Sequence, residues 1–228
     1  MSERKELILN TIIEEHIKTG APVGSSVLVK KYNLDVSSAT VRNEMAILED
    51  EGFIVQPHTS AGRVPTEKAY KFFVSKIKND KIKNQGLDPE IDCVKAKDEV
   101  GFKKTAKELS QITGSAVFWA FHRHNIYYTG ISNLFQQPEF SQIELVYDIS
   151  SIIDKIDEII NNIFDQYDIG VHTLIGSENP FGNFISTVLA KYKSGDNVGM
   201  FGIVGPVRMD YQKNIILVHN INTYLNKK

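Results

Sequence analysis

A single cysteine, Cys93, stands in the 228 residues. No internal disulfide can form, and the chain fits a reducing compartment. No apolar run approaches the ~20 residues of a membrane-spanning helix, so no membrane partner is expected. The charged start, MSERKEL, spaces its apolar residues helically and lacks a secretory signal. A cytoplasmic location is expected. No phosphate-cradling glycine loop and no nucleophile motif is present, so neither an enzyme nor a cofactor is expected. Strong net charge is missing too. At −2, the balance does not by itself announce a polyanionic partner.

With 42% hydrophobic and 24% charged residues, the chain has an ordinary globular composition, and its length suits one large or two small domains. The charge is unevenly placed. Arg63 to Lys83 holds seven basic residues against two acidic ones. Such a stretch is either a solvated helix face or a place where phosphates lie.

The stretch from Val36 to Thr66 lies directly beside this basic one and overlaps it. Ser37 and Ser38 are helix-capping residues, and Val41, Met45 and Leu48 recur at i, i+4, i+7 to form one apolar face. Ala39, Thr40, Asn43 and Ala46 occupy the opposite face, with Arg42 on its flank. A small polar face of this kind fits a DNA major groove, where Arg pairs with guanine and Asn with adenine. It equally suits a core helix with a polar outside. Gly52 ends the helix, Phe53 to Val55 reads as a strand, Thr59 to Gly62 as a turn, and Arg63-Val64 as the returning strand.

The elements before it favour DNA. Lys5 to Thr19 forms a helix covered on one side by Ile8, Leu9, Ile12, Ile13 and Ile17. Ser25 or Ser26 caps a short second helix carrying Val27, Leu28 and Tyr32. Three helices and a hairpin make a winged helix-turn-helix. The expected DNA-contacting set is Ser37, Ser38, Thr40, Arg42 and Asn43 on the helix, with His58, Thr59, Ser60 and Arg63 on the wing. Arg63 is expected to hold a phosphate or the minor groove.

Thr66 can cap a further helix with Tyr70, Phe73, Val74 and Ile77 on one face. The expected division is a DNA-binding domain over 1–80, a linker over 81–92 and a second domain over 93–228. Asp88-Pro89 reads as a helix start, with a possible break at Gly101 before Gly114 ends the pattern. Ala116 to Phe121 and Ile126 to Ile131 read as paired strands, and Asn133 to Phe140 as a loop. Ile143 to Tyr147 fits strand or helix, and Ser151 to Gln166 one amphipathic helix. Val171 to Ile175, Ile185 to Tyr192 and Val198 to Val204 are strands, Ser194-Gly195-Asp196-Asn197 makes the last two a hairpin, and Asp210 opens a last helix. This is an α+β domain with a mainly antiparallel sheet.

The runs RKELILNTIIEEHIKTGAPVGSSVL and SSATVRNEMAILEDEGFIVQPHTSAGRVPTEKAY, with GISNLFQQPEF, IGSENPF and VGMFGIVGPVRMDY, resemble the heat-inducible transcription repressor family, HrcA. The resemblance implies a homodimeric repressor at an inverted-repeat operator in double-stranded DNA upstream of chaperone genes. It also implies a GAF-like second domain and a chaperonin partner. In the family a long segment, including a dimerisation domain, separates the TGSAVFWAF-like strand from the GISNLFQQPEF-like loop. Only HRHNIYYT stands there in this chain.

Other readings remain. A ligand-sensing winged-helix regulator of other genes would work through the GAF-like domain, and a protein-binding winged helix would need no groove-reading set. Phe118, Trp119, Phe121, Tyr127 and Tyr128 offer a partner surface on one sheet face at most. His122 and His124 lack a nearby Cys or carboxylate at ligand spacing, so no metal is expected. Gly176 to Asn179 reads as a turn. Arg208 either holds an anionic ligand or a partner's carboxylate, or belongs to a turn that Asp210 completes by capping the helix.

Overall fold

The computed structural model describes residues 1–32, 36–59, 61–77, 98–141 and 143–226. The chain divides into two compact units, Met1–Lys76 and Ile77–Lys228. The linker over 81–92 and the helix start at Asp88-Pro89 lie outside the described residues.

In the first unit, α1 (Glu3–Thr19) begins where the Ser2 hydroxyl accepts from the Lys5 N–H and ends at Gly20, whose φ of 66° closes the C-terminal cap. Helix α2 (Ser25–Tyr32) and helix α3 (Ser38–Asp50) follow, then a hairpin of β1 (Ile54–Val55) and β2 (Val64–Pro65), and α4 (Glu67–Ser75). Ile8, Leu9, Ile12 and Ile13 of α1 are buried together with Leu28, Val41, Leu48 and Ile54. The apolar stripes expected on α1 and α3 therefore face one core, whereas Val27 points outward.

A carboxylate is built into this packing. Glu15, buried on α1, accepts from Lys31 Nζ at 2.8 Å and from the Tyr32 hydroxyl at 2.9 Å. The Lys31 hydrogen bond holds its pKa below the usual 4.5, against the upward push of burial and with help from Tyr32. A depressed carboxylate contributes stability above its unfolded pKa and loses it as pH falls through the folded value. The melting difference between wild type and Glu15→Gln should therefore be full near neutrality and shrink below about pH 4.5. A difference independent of pH would show that the charge does not matter. Tyr32 is pushed up to about 12, chiefly by burial and then by Glu15.

Two aromatic residues of α4, Tyr70 and Phe72, pack within the first unit. The buried Tyr70 hydroxyl lies 2.7 Å from His16 Nδ1, and Phe72 packs edge-on against Phe53 with Lys76 over its ring. Phe72 is thus half-buried within its own unit.

The second unit is an antiparallel sheet covered on both faces. Its elements are α5 (Glu99–Thr113), β3 (Ala116–His122), β4 (Asn125–Thr129), α6 (Ile131–Phe135), a 3-10 turn (Pro138–Ser141), α7 (Ile143–Asp154), α8 (Ile156–Phe164), β5 (Gly170–Ile175), β6 (Ile185–Ser194), β7 (Asn197–Pro206) and α9 (Tyr211–Leu225). The strand order is β4-β3-β7-β6-β5, every pair antiparallel, a GAF-like α+β arrangement. Helices α5 and α9 pack on the sheet, and Phe102 of α5 stacks on Trp119. The opposite face holds Phe118, Leu189 and Met200 with Ile149, Ile156, Ile160 and Ile163 of α7 and α8. Phe118 and Trp119 point to opposite faces and both are buried, so neither is available to a partner, whereas Tyr128 of β4 is exposed.

Several expectations change here. Gly101 does not break α5; it sits in the first turn, where its N–H donates to the capping Asp98 carboxylate at 2.9 Å. The expected loop over Asn133 to Phe140 takes in the end of α6 and most of the 3-10 turn, which bury Leu134 and Phe140. Ile131 opens α6 rather than ending β4. Residues 143–147 are helical, and the single helix over Ser151 to Gln166 is divided at Lys155 between α7 and α8. No Pro or Gly marks that division.

Candidate nucleic-acid interface

Helix α3 starts at Ser37, whose hydroxyl accepts from the Thr40 N–H at 3.1 Å and shares a hydrogen bond with the Thr40 hydroxyl. With Val41, Met45 and Leu48 buried, Ala39, Arg42, Asn43, Ala46 and Ile47 are exposed along the outside. Among the described residues no hydrogen bond or ion pair holds the side chains of Arg42 or Asn43. Both are free to donate to an external partner. Ser38 is directed elsewhere: its hydroxyl meets that of Ser25 at 3.0 Å, joining α3 to α2. Thr40 is half-buried and tied to the cap, so Ser37, Ser38 and Thr40 shape the helix start.

In the wing, Ile54 pairs with Pro65 and Val55 with Val64. His58 and Thr59 are exposed at the tip, and Ser60 lies outside the described residues. The Gln56 side chain donates to the Ala61 carbonyl at 3.1 Å, closing the loop from within.

Arg63 has a competing partner. Its Nε donates to Glu49 Oε2 at 2.9 Å, with its side chain 21% exposed. Its backbone forms an antiparallel bridge to Val23, through N–H to carbonyl bonds of 2.8 and 2.9 Å. The expected phosphate ligand is thus engaged with a carboxylate of α3. The same carboxylate accepts from the Gln56 N–H at 3.0 Å through Oε1. Glu49 and Gln56 were not among the expected site residues. A carboxylate on a solvated helix flank carries no periodic signal; only the fold brings it to the wing.

The second unit's polar stretches serve its own packing. Arg208, 13% exposed, donates through Nε and Nη2 to Glu139 and through Nη2 to Gln137 at 2.9 Å. Its carboxylate partner is therefore within the chain. The Asp210 carboxylate accepts from the Lys213 N–H at 3.0 Å and caps α9. Asn179, after a 3-10 turn at Gly176–Glu178, donates to Leu174 and Thr187. His122 Nδ1 accepts from the His124 N–H, and no group of His, Cys, Asp or Glu suited to a metal occurs among the described residues. An apolar cavity of about 20 Å³ lies between the sheet and α7, lined by residues including Phe118, Tyr128, Ile131, Ile152 and Ile156. That space holds little more than a water.

Comparisons with known proteins agree along the chain. The family model described as the HrcA protein C terminal domain matches residues 65–215. The heat-inducible transcription repressor HrcA of Carboxydothermus hydrogenoformans is 29% identical, with 100% of this chain and 98% of that protein aligned. Its counterpart in Thermodesulfovibrio yellowstonii is 27% identical, over 96% of this chain and 95% of that protein. The Bifidobacterium longum protein is 44% identical over 49% of this chain and 31% of its own length. The first of these alignments runs over 334 positions against the 228 residues here, a shortfall of 106. In fold, a solved structure titled as a hypothetical protein superposes with a TM-score of 0.83 at 17% identity, covering 100% of this chain and 99% of its own.

Proposed function

The chain belongs to the HrcA family of heat-inducible transcription repressors, and we propose that it represses chaperone genes by binding an inverted-repeat operator as a homodimer, reading bases through α3. The members of this family are transcription repressors rather than enzymes. The observation that carries the reading is the pair Arg42 and Asn43, exposed and unengaged among the described residues, on a helix whose opposite face is buried. Arg can donate two hydrogen bonds to guanine, and Asn pairs with both polar atoms of adenine's major-groove edge. His58 and Thr59 at the wing tip are the candidates for backbone or minor-groove contact. No helix among the described residues is long and apolar enough to cross a membrane, and we place the protein in the cytoplasm with its DNA.

One reading helix covers only a few base pairs, so selection along a genome requires two half-sites about 34–36 Å apart or a multiple of that spacing. The relatives' extra segment is missing, and Tyr70 and Phe72 of α4 are engaged within their own unit. The dimer contact therefore falls to the second unit, where Val146 and Phe135 are exposed and Tyr147 is 72% exposed. Chaperonin dependence is proposed from the family alone. Sedimentation from micromolar concentrations upward, with and without an inverted-repeat duplex, tests the symmetry. A dimer on DNA is expected. A monomer under both conditions, binding one half-site as well as two, would refute it.

A further inference from the structure

Glu49 makes its two hydrogen bonds to opposite arms of one hairpin. Oε1 takes the backbone N–H of Gln56, on the outgoing arm, and Oε2 takes Arg63 Nε on the returning arm. The returning arm is held a second time by the Val23–Arg63 backbone bridge. That bridge needs Gly62: a Cβ there would fall 2.5 Å from the Val23 carbonyl carbon. The wing's position is thus set by three anchors, two of them on a single carboxylate that belongs to the reading helix. From this we infer that Glu49 is a positioning residue for DNA recognition. It fixes the wing relative to α3 and engages Arg63 as an internal strut rather than as a phosphate ligand. The inference rests on the DNA-reading role proposed above and adds how the two DNA-facing elements are held in register.

A charge-assisted bond from guanidinium to carboxylate suits a strut, because it is short, directional and stronger than a neutral pair. A guanidinium so engaged loses much of its value to a phosphate, since reaching one would leave the Glu49 carboxylate without its counter-ion beside the DNA backbone. Arg63 should therefore affect affinity without releasing a counterion of its own.

The full chain in four forms tests this: wild type, Glu49→Gln, Arg63→Ala and the double variant, titrated with inverted-repeat and random duplexes across salt concentrations. Each single variant should bind roughly tenfold more weakly to both duplexes, as for one lost charge-assisted bond. The double variant should be no weaker than either single. Arg63→Ala should keep the wild-type salt slope, and base preferences under α3 should not move. A slope reduced by about 0.9 in Arg63→Ala would mark a phosphate contact and overturn the inference. So would losses that add in the double variant. Amide exchange in the free chain supplies a readout without DNA: Glu49→Ala should speed exchange at Gln56, and an unchanged rate would also overturn it. Failure of the DNA reading would look different, as a wild type that binds no duplex, and the Gln56 exchange rate would still decide the tether.

Discussion

Replacing Asn43 or Arg42 with alanine should relax base discrimination by ~1–3 kcal/mol at one position of each half-site, while leaving the fold intact. Both side chains lie on the exposed face of α3, and neither is engaged by another described residue, so their removal strands no buried group. Lost discrimination should appear as a narrowed gap between operator and random duplex, because a base-edge contact exists only on the right base. Val41→Ala is the control one residue away. Val41 is 0% exposed, so its truncation should lower the melting temperature and leave discrimination unchanged. Competition binding against operators altered at single positions measures all three variants. Equal losses on operator and random duplex in the Arg42 and Asn43 variants would contradict base reading.

Trp119→Ala should destabilise the second unit by ~3–5 kcal/mol, the largest single effect expected in the molecule. Trp119 is 0% exposed, lies 4.5 Å from the Phe201 ring and 5.0 Å from Phe102 in near-parallel stacks, and donates through Nε1 to the Tyr192 hydroxyl at 2.9 Å. Alanine removes the stack on Phe102 of α5 and the stack on Phe201 of β7, and leaves the buried Tyr192 hydroxyl without its donor. Burial pushes the Tyr192 pKa up to about 12, so the hydroxyl does not ionise to compensate. Trp119→Phe, which keeps most of the ring volume, should lose only ~1–3 kcal/mol for the missing donor. Urea unfolding followed separately for the two units distinguishes these. If dimerisation resides in the second unit, Trp119→Ala should also weaken cooperative binding to two half-sites while sparing a single one. A loss below about 1 kcal/mol would show that the aromatic stack is not a keystone of this unit.

What could be read before the fold was known follows the range over which each signal acts. The stripe of Val41, Met45 and Leu48 is local and periodic, and it marks both α3 and the face of α3 left exposed. The Ser194 to Asn197 turn has the same character; Gly195, at φ 61°, closes the β6–β7 hairpin as a two-residue turn. Asp210 as a helix cap is equally local. Helix α6 and the 3-10 turn at Pro138 carry no readable period, because four or five residues are too few to show one. The division at Lys155 leaves no mark in the sequence, because the isoleucine spacing runs through it unbroken.

The candidate site divides in the same way. Exposure of Arg42 and Asn43 follows from helix phase. Ser38 bonding to Ser25, Arg63 bonding to Glu49, and Arg208 bonding to Glu139 do not, because each partner comes from another element. A basic residue in an expected wing invites assignment to phosphate, and at Arg63 a carboxylate fourteen residues earlier competes for it. Such competition depends on tertiary placement alone.

Selection of bound duplexes from a random pool by the full chain tests the central claim most directly. A spaced inverted repeat should be enriched, its half-sites one or more helical turns apart, with guanine and adenine positions that lose their preference when Arg42 or Asn43 is replaced. A pool that yields no common sequence, or a half-site recovered alone and unchanged by either substitution, would contradict it.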